Sequence, residues 1–306
     1  MQHFHSLDDI HLDACHLTFG AFDGVHLGHQ QLIRELVEGA RQAALPAVVL
    51  TFFPHPSVVL RGRQPSFYIT TPDEKAELLG RLGVAAVITH PFDEQISHIR
   101  AGDFVKRLVD RLGVRKFVIT EESALGYRRE GNLSFLREAG RTLGFEVQVS
   151  GLLQVEGEVL SSTRVREALR AGDVARAGRY LGRLFEVTGK VVEGKRRGQS
   201  LGIPTANLQV WEERAYPARG VYACRADVKG MRLKAVTNIG YRPTFEQEAA
   251  RPTIEAHLLD FEGDLYGLEI SLAFVERLRN EQKFAGVEAL LAQIDKDITR
   301  ARELLT

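Results

Sequence analysis

The chain has 306 residues, with 40 basic and 40 acidic side chains and a formal net charge of +0. That length is enough for two hydrophobic cores, and the charge balance excludes the broad basic footprint of a nucleic-acid binder. Cys15 and Cys224 are too few for a disulfide framework and point to a reducing compartment. With no apolar run long enough to span a membrane and no leader-like segment, a soluble cytoplasmic protein is expected, its partners neither nucleic acid nor membrane. Nothing in the pattern sets an oligomeric state.

Taken in chain order, apolar runs at residues 17–19, 47–53, 85–89, 116–120 and 145–150 read as strands. Helical spacing covers 29–45, 72–82, 101–112 and 133–143 between them, and the polar stretch 61–66 reads as a loop. Short, nearly continuous apolar strands separated by helices predict a parallel sheet covered on both faces. Ligands of such α/β folds bind beyond the C-terminal strand ends. From Leu184 the rhythm changes: residues 185–193, 220–228, 232–239, 253–261 and 268–278 read as strands without intervening helices. They predict an antiparallel barrel or sandwich. A helix over 286–305 follows, with Val287, Leu290, Leu291, Ile294, Ile298 and Ala301 on one face. The two patterns meet near Tyr180, predicting domains of residues 1–182 and 183–306.

The run Phe22-Asp23-Gly24-Val25-His26-Leu27-Gly28-His29 falls between the first strand and the first helix. Free backbone N–H groups and the helix dipole favour an anion there, and Gly28 leaves room for a phosphate to approach. A lone histidine at a turn is more often an ordinary polar loop residue. The pair also has the spacing to share a metal, but no acid or cysteine set accompanies it. A second segment, Ser161-Ser162-Thr163-Arg164, places hydroxyls at the start of a short helix and arginine at its positive end. Either motif alone is commonplace. Together they resemble the nucleotidyltransferase superfamily with a His-x-Gly-His signature.

The second half carries Gly194, Lys195, Arg196, Arg197, Gly198 and Gly202, followed by Pro204, Thr205 and Asn207. Glycines at this spacing can hold an open loop whose amides face a polyphosphate, and Thr205 and Asn207 offer the hard oxygen donors that Mg²⁺ prefers. An ordinary hairpin with a solvated basic tip fits the spacing as well. Glu255 lies in an alternating strand on the face of His257, with Ile254, Ala256 and Leu258 opposite. Such a glutamate is more often simply solvent-facing, but it has the chemistry of a general base.

Residues 17 to about 304 resemble the prokaryotic bifunctional riboflavin kinase/FAD synthetase family, through 22–29, 53–56, 161–164, 194–207, 220–222, 238–245, 265–267 and 279–284. The resemblance implies ATP-dependent phosphorylation of riboflavin to FMN by the second domain. It implies adenylylation of FMN to FAD, with release of pyrophosphate, by the first. Riboflavin, FMN, FAD and ATP are the implied partners and Mg²⁺ the implied cofactor. Glu255 is then the catalytic base of the kinase, Thr205 and Asn207 its metal ligands, and Gly194, Lys195, Gly198, Gly202 and Pro204 its nucleotide loop. Arg279, Glu281 and Phe284 fall in the flavin-contacting segment. His26, His29 and Arg164 are the implied catalytic residues of adenylyl transfer, with Phe22, Asp23, Gly24, Gly28, Ser161, Ser162 and Thr163 around the nucleotide. The chain departs from the family at Thr120-Glu121-Glu122-Ser123-Ala124-Leu125, where Gly-x-Asp-Phe is usual, and at Ala21, where Asn is common. These departures keep open a kinase with a degenerate adenylyltransferase domain. A flavin-binding carrier without turnover is the remaining alternative.

Overall fold

The computed structural model describes residues 1–62, 67–155, 157–194, 203–242 and 251–306. Lys195, Gly198 and Gly202 lie outside the described residues. The chain forms two compact units, Met1–Gln64 with Thr70–Ser162, and Pro65–Ile69 with Thr163–Thr306.

In the first unit, strands β1 (Gln2–Phe4), β2 (Cys15–Phe19), β3 (Ala47–Phe53), β4 (Ala86–Pro91), β5 (Val114–Thr120) and β6 (Glu146–Ser150) form one parallel sheet. Its order is β1-β4-β3-β2-β5-β6. Helices α1 (Leu27–Gln42), α2 (Pro56–Arg61), α3 (Pro72–Arg81), α4 (Glu94–Ser97), α5 (Ala101–Leu112) and α6 (Leu133–Leu143) connect the strands. Leu17, Leu50 and Ile119 pack with Phe104, Leu108 and Leu136 of α5 and α6. Their chain neighbours Val49 and Val118 pack with Ile33, Leu36 and Leu79 of α1 and α3. Burial on both faces is why these strands read as continuous apolar runs rather than alternating ones. The strand β1 escapes such a reading, because Gln2–Phe4 is short and carries a histidine where an apolar residue would announce it. A small hairpin, β7 (Gln154–Val155) with β8 (Glu158–Val159), precedes Ser161.

Helix α7 (Ser162–Ala171) enters the second unit from Thr163 on and is followed there by α8 (Val174–Leu181), capped by Asp173. Strands β9 (Phe185–Val192), β10 (Ala206–Gln209), β11 (Gly220–Val228), β12 (Met231–Arg242), β13 (Arg251–Leu258) and β14 (Glu269–Arg279) close into a barrel. The order is β10-β13-β12-β11-β14-β9, so the fold is a barrel and not a sandwich. The four-residue β10 is too short to show period-2 alternation in the sequence. Val221, Ala223 and Val236 pack against Ile298, Ala301 and Leu305, the last two fully or nearly buried, so the final helix α9 (Val287–Leu304) covers the β11–β12 wall.

The compact units part at Ser162/Thr163. Within the second unit, α8 buries Val174, Ala177, Tyr180 and Leu181 against β9 and β14.

Candidate active sites

The first candidate site lies at the C-terminal ends of β2 and β5. The chain leaves β2 through a turn in which Phe22 and Val25 hold left-handed φ angles of 47° and 42°, beside Gly24 at 81°. Non-glycine residues in that region store strain that the surroundings must support. The turn delivers His26 as N-cap of α1, its Nδ1 accepting the His29 backbone N–H at 3.3 Å. That bond leaves the proton of a neutral His26 on Nε2. The rings of His26 and His29 stack with centroids 3.6 Å apart, and Phe22 meets His29 edge-on at 5.1 Å. Gly28 belongs to the same packing, since a Cβ there would lie 3.2 Å from His26 Cε1.

A cavity of about 780 Å³ opens over this pair, a volume typical of nucleotide-sized ligands. One end is polar, with His26, His29, Ser161 and Ser162; the other is apolar, with Phe52, Phe92, Phe104 and Leu125. Phe22 and Gly28 line it too. Asp23 and Gly24 do not. Asp23 is buried, accepts the Thr70 N–H at 3.2 Å and receives the Ser162 hydroxyl on its carbonyl at 2.8 Å. These two residues thus shape the turn, and Ser162, the first residue of α7, pins it within the first unit. Thr163 and Arg164 follow in the first turn of that helix, within the second unit.

The divergent loop after β5 lines the cavity from Thr120 through Arg129, with Glu121 set back. Ser123 turns inward on its own loop: its hydroxyl accepts the Thr120 N–H at 3.1 Å and shares a 3.0 Å hydrogen bond with Thr120 Oγ1. Arg129 donates to the Glu122 carbonyl at 2.6 Å, and Leu125 and Gly131 exchange backbone hydrogen bonds. A polar closure replaces the aromatic that the resemblance led one to expect.

The second candidate site is a row across three barrel strands. Ile254, Ala256 and Leu258 are buried, whereas Glu255 and His257 are half-buried on the opposite face of β13. Register places Glu255 beside Asn207 of β10 on one side and Asn238 of β12 on the other. His257 donates through Nδ1 to the Pro204 carbonyl at 2.8 Å, fixing the residue next to Thr205. Gly194 is required by close approach, because a Cβ there would fall 2.1 Å from Asn207 Nδ2. Around Gly240 lie Thr253, Asn238 and Glu281, whose Oε1 is 3.6 Å from the position a Cβ would take.

Arg279, at the end of β14, is anchored by a buried carboxylate. Its guanidinium makes a two-pronged contact with Asp297 on α9, at 2.8 and 2.9 Å, and lies over the Phe284 ring with 5.5 Å to the centroid. Gln293 donates to the same carboxylate at 2.9 Å. Asp297 is only 4% exposed and has no sequence signature beyond its helical position. Asp297→Asn is expected to cost roughly 1.5–3 kcal/mol, the worth of hydrogen bonds to a charged partner. A urea midpoint indistinguishable from wild type would show that the pair contributes nothing net.

Both cysteines are buried and free. Burial pushes the Cys15 and Cys224 thiols up to about 12. No group of three or more metal-ligating His, Cys, Asp or Glu side chains occurs among the described residues. Among the same residues, no helix is long and apolar enough to cross a membrane.

Comparison with known proteins agrees with this two-site organisation. A FAD synthetase family model matches residues 9–164, and a riboflavin kinase model matches residues 181–305. The bifunctional riboflavin kinase/FMN adenylyltransferase of Pseudomonas fluorescens is 38% identical over 291 residues, covering 95% of this chain and 93% of its own. The protein of that name from Escherichia coli (strain K12) is 36% identical over 301 residues, covering 98% and 95%. A crystal structure described as a macrolide-efflux protein from Streptococcus pneumoniae superposes with a TM-score of 0.90 at 29% identity, covering 98% of each chain. With both family models matched in order along one chain, and relatives aligned over nearly its whole length, the chain belongs to the bifunctional riboflavin kinase/FMN adenylyltransferase family.

Proposed function

We propose a residue-level division of labour for the two reactions of this enzyme, phosphorylation of riboflavin to FMN and adenylylation of FMN to FAD, both at the expense of ATP. Adenylyl transfer belongs to the cavity of the first unit. The FMN phosphate is already an anionic nucleophile, so attack on the α-phosphorus needs alignment and charge stabilisation rather than a base. His26, His29 and the start of α1 take the phosphates at the polar end, with Ser161 donating to them and the Ser162 hydroxyl holding the Asp23 carbonyl of the turn beside them. Phe22 and Gly28 shape that end, Asp23 and Gly24 hold the turn, and Thr163 and Arg164 complete the second motif. The apolar end suits a planar ring system.

Phosphorylation of riboflavin belongs to the barrel. Glu255 accepts the proton of the ribityl 5′-hydroxyl as its oxygen attacks the γ-phosphorus. The hydroxyl of Thr205 and the amide oxygen of Asn207, the latter directly across from Glu255, are hard donors that suit Mg²⁺. When bound, the ion neutralises phosphate charge. Gly194, Lys195, Gly198, Gly202 and Pro204 form the nucleotide loop of this reading. Glu281 and Phe284 meet the flavin, while Arg279 acts from behind through its contact with Phe284. A cytoplasmic location belongs to the same reading.

The observation that carries the proposal is the convergence on one cavity of the stacked histidines and the two serines, from opposite ends of the first unit. Incubation with riboflavin, ATP and Mg²⁺, followed by separation of the flavins, tests it. FAD is the expected end product; FMN alone would mean that the cavity does not transfer adenylyl groups, and unchanged riboflavin would overturn both assignments. Because Ser123 closes its loop with polar bonds, FMN is expected to accumulate transiently before FAD. Ser123→Phe with Glu122→Asp is expected to lower the KM for FMN, since a ring buried against the ligand is worth on the order of 1–3 kcal/mol. Equal rates for both steps, with no effect of the double change, would reduce the loop to a neutral rearrangement.

A further inference from the structure

Lys75 has no part in the chemistry just described, yet it is one of the most deeply buried charged side chains of the first unit, at 6% exposure. It sits on α3, behind the phosphate-binding turn and outside the cavity lining. Its amine donates to the Ala21 carbonyl at 3.0 Å and to the Thr51 hydroxyl at 2.9 Å. Thr51 donates a hydrogen bond from its own hydroxyl to the same Ala21 carbonyl at 3.0 Å. Ala21 lines the cavity and immediately precedes Phe22, the first left-handed residue of the turn.

The far side of the turn is gripped from the same segment. Gly24 donates its N–H to Thr70 Oγ1 at 3.1 Å, and the Thr70 N–H reaches Asp23 Oδ1 at 3.2 Å. A capping box between Thr71 and Glu74 fixes the start of α3, so the lysine stands on a rigid base. A hydroxyl or amide could satisfy one carbonyl without burying a charge. Lysine adds an ammonium whose field reaches the place where polyphosphate would lie. Its burial pushes the amine down to about 8, with Asp23 opposing the change. The titratable neighbours that face it are Asp23 on the turn and His3 on β1.

We propose that Lys75 is a positioning residue for adenylyl transfer: it holds the turn 21–24 in its strained conformation and sets a positive potential behind the phosphates. The proposal rests on the reading of this cavity as the adenylyl-transfer site.

In the full-length protein, Lys75→Met keeps the buried stem and removes the donors and the charge. It is expected to lower kcat for FAD formation from supplied FMN and ATP by about 10–100-fold, as misalignment of a reacting pair does. The KM for FMN should move little and riboflavin phosphorylation not at all. The wild-type rate of FAD formation is expected to fall as pH rises through about 8, and this alkaline limb should be absent from Lys75→Met. Wild-type FAD formation in the variant, an equal loss in both reactions, or a surviving limb would each overturn the role. Should Lys75→Met not fold, Thr51→Val removes one of the two partners at nearly constant volume. It is expected to lower FAD formation by roughly 3–10-fold, and an unchanged rate would again overturn the role. His29→Ala run in parallel separates the two readings. FAD formation that survives His29→Ala removes the site assignment, whereas a normal Lys75→Met beside an inactive His29→Ala removes only the role of Lys75.

Discussion

His29→Ala is expected to lower FAD formation at least 10²–10³-fold, on the order of the loss seen when one preorganised donor to a developing negative charge is removed. Riboflavin phosphorylation in the same protein should be unchanged. Three features make the substitution clean. Alanine is the best helix former, so the start of α1 is retained. The cap depends on the backbone N–H of His29 and the ring of His26, neither of which is deleted. The imidazole itself stacks on His26 and lines the cavity, so what is lost is a polar ring at the phosphate end. FMN accumulating where wild type proceeds to FAD is the result to look for by flavin chromatography. Undiminished FAD formation would mean that the pyrophosphate leaves from somewhere else.

The parallel sheet was legible in the sequence because burial on both faces forces unbroken apolar runs, such as the one that became β3. Barrel strands β11 to β14 were legible through alternation and through turns at Gly, Asp and Pro. The site residues emerged where one backbone segment carries several of them, as in the run from Phe22 to His29 or around Glu255. Lys75, Asp297 and Thr70 did not emerge, because their meaning lies in partners far along the chain. Lys75 bonds to Ala21 and Thr51, and Asp297 bonds to Arg279. A lysine or aspartate on an amphipathic helix reads as solvated surface until the fold brings a partner to it. The same limit holds for α8: its apolar stripe is visible in the sequence, but not that β9 and β14 bury it. Arg279 shows the same limit, since nothing in its own segment announces the buried carboxylate that anchors it.

For the kinase the decisive substitution is Glu255→Gln, expected to lower kcat for FMN formation roughly 10²–10⁴-fold, the usual contribution of a positioned general base. Glutamine has the volume of glutamate and can still donate or accept across the strands, so β13 should keep its register with Asn207 and Asn238. Neither flanking residue can take over proton removal, because both are amides. Thr205 and Asn207 remain as oxygen donors, so nucleotide binding should persist. Riboflavin affinity should be largely retained as well, because the flavin segment after β14 is untouched. The loss should therefore appear in kcat rather than KM, the signature of an interaction made in the transition state. Conversion of supplied FMN to FAD serves as the internal control, since it uses the other unit and needs no base. Near-normal phosphorylation by Glu255→Gln would show that the ribityl hydroxyl loses its proton without help from this carboxylate. Loss of both activities would instead point to damaged folding, which a matched thermal melt distinguishes directly.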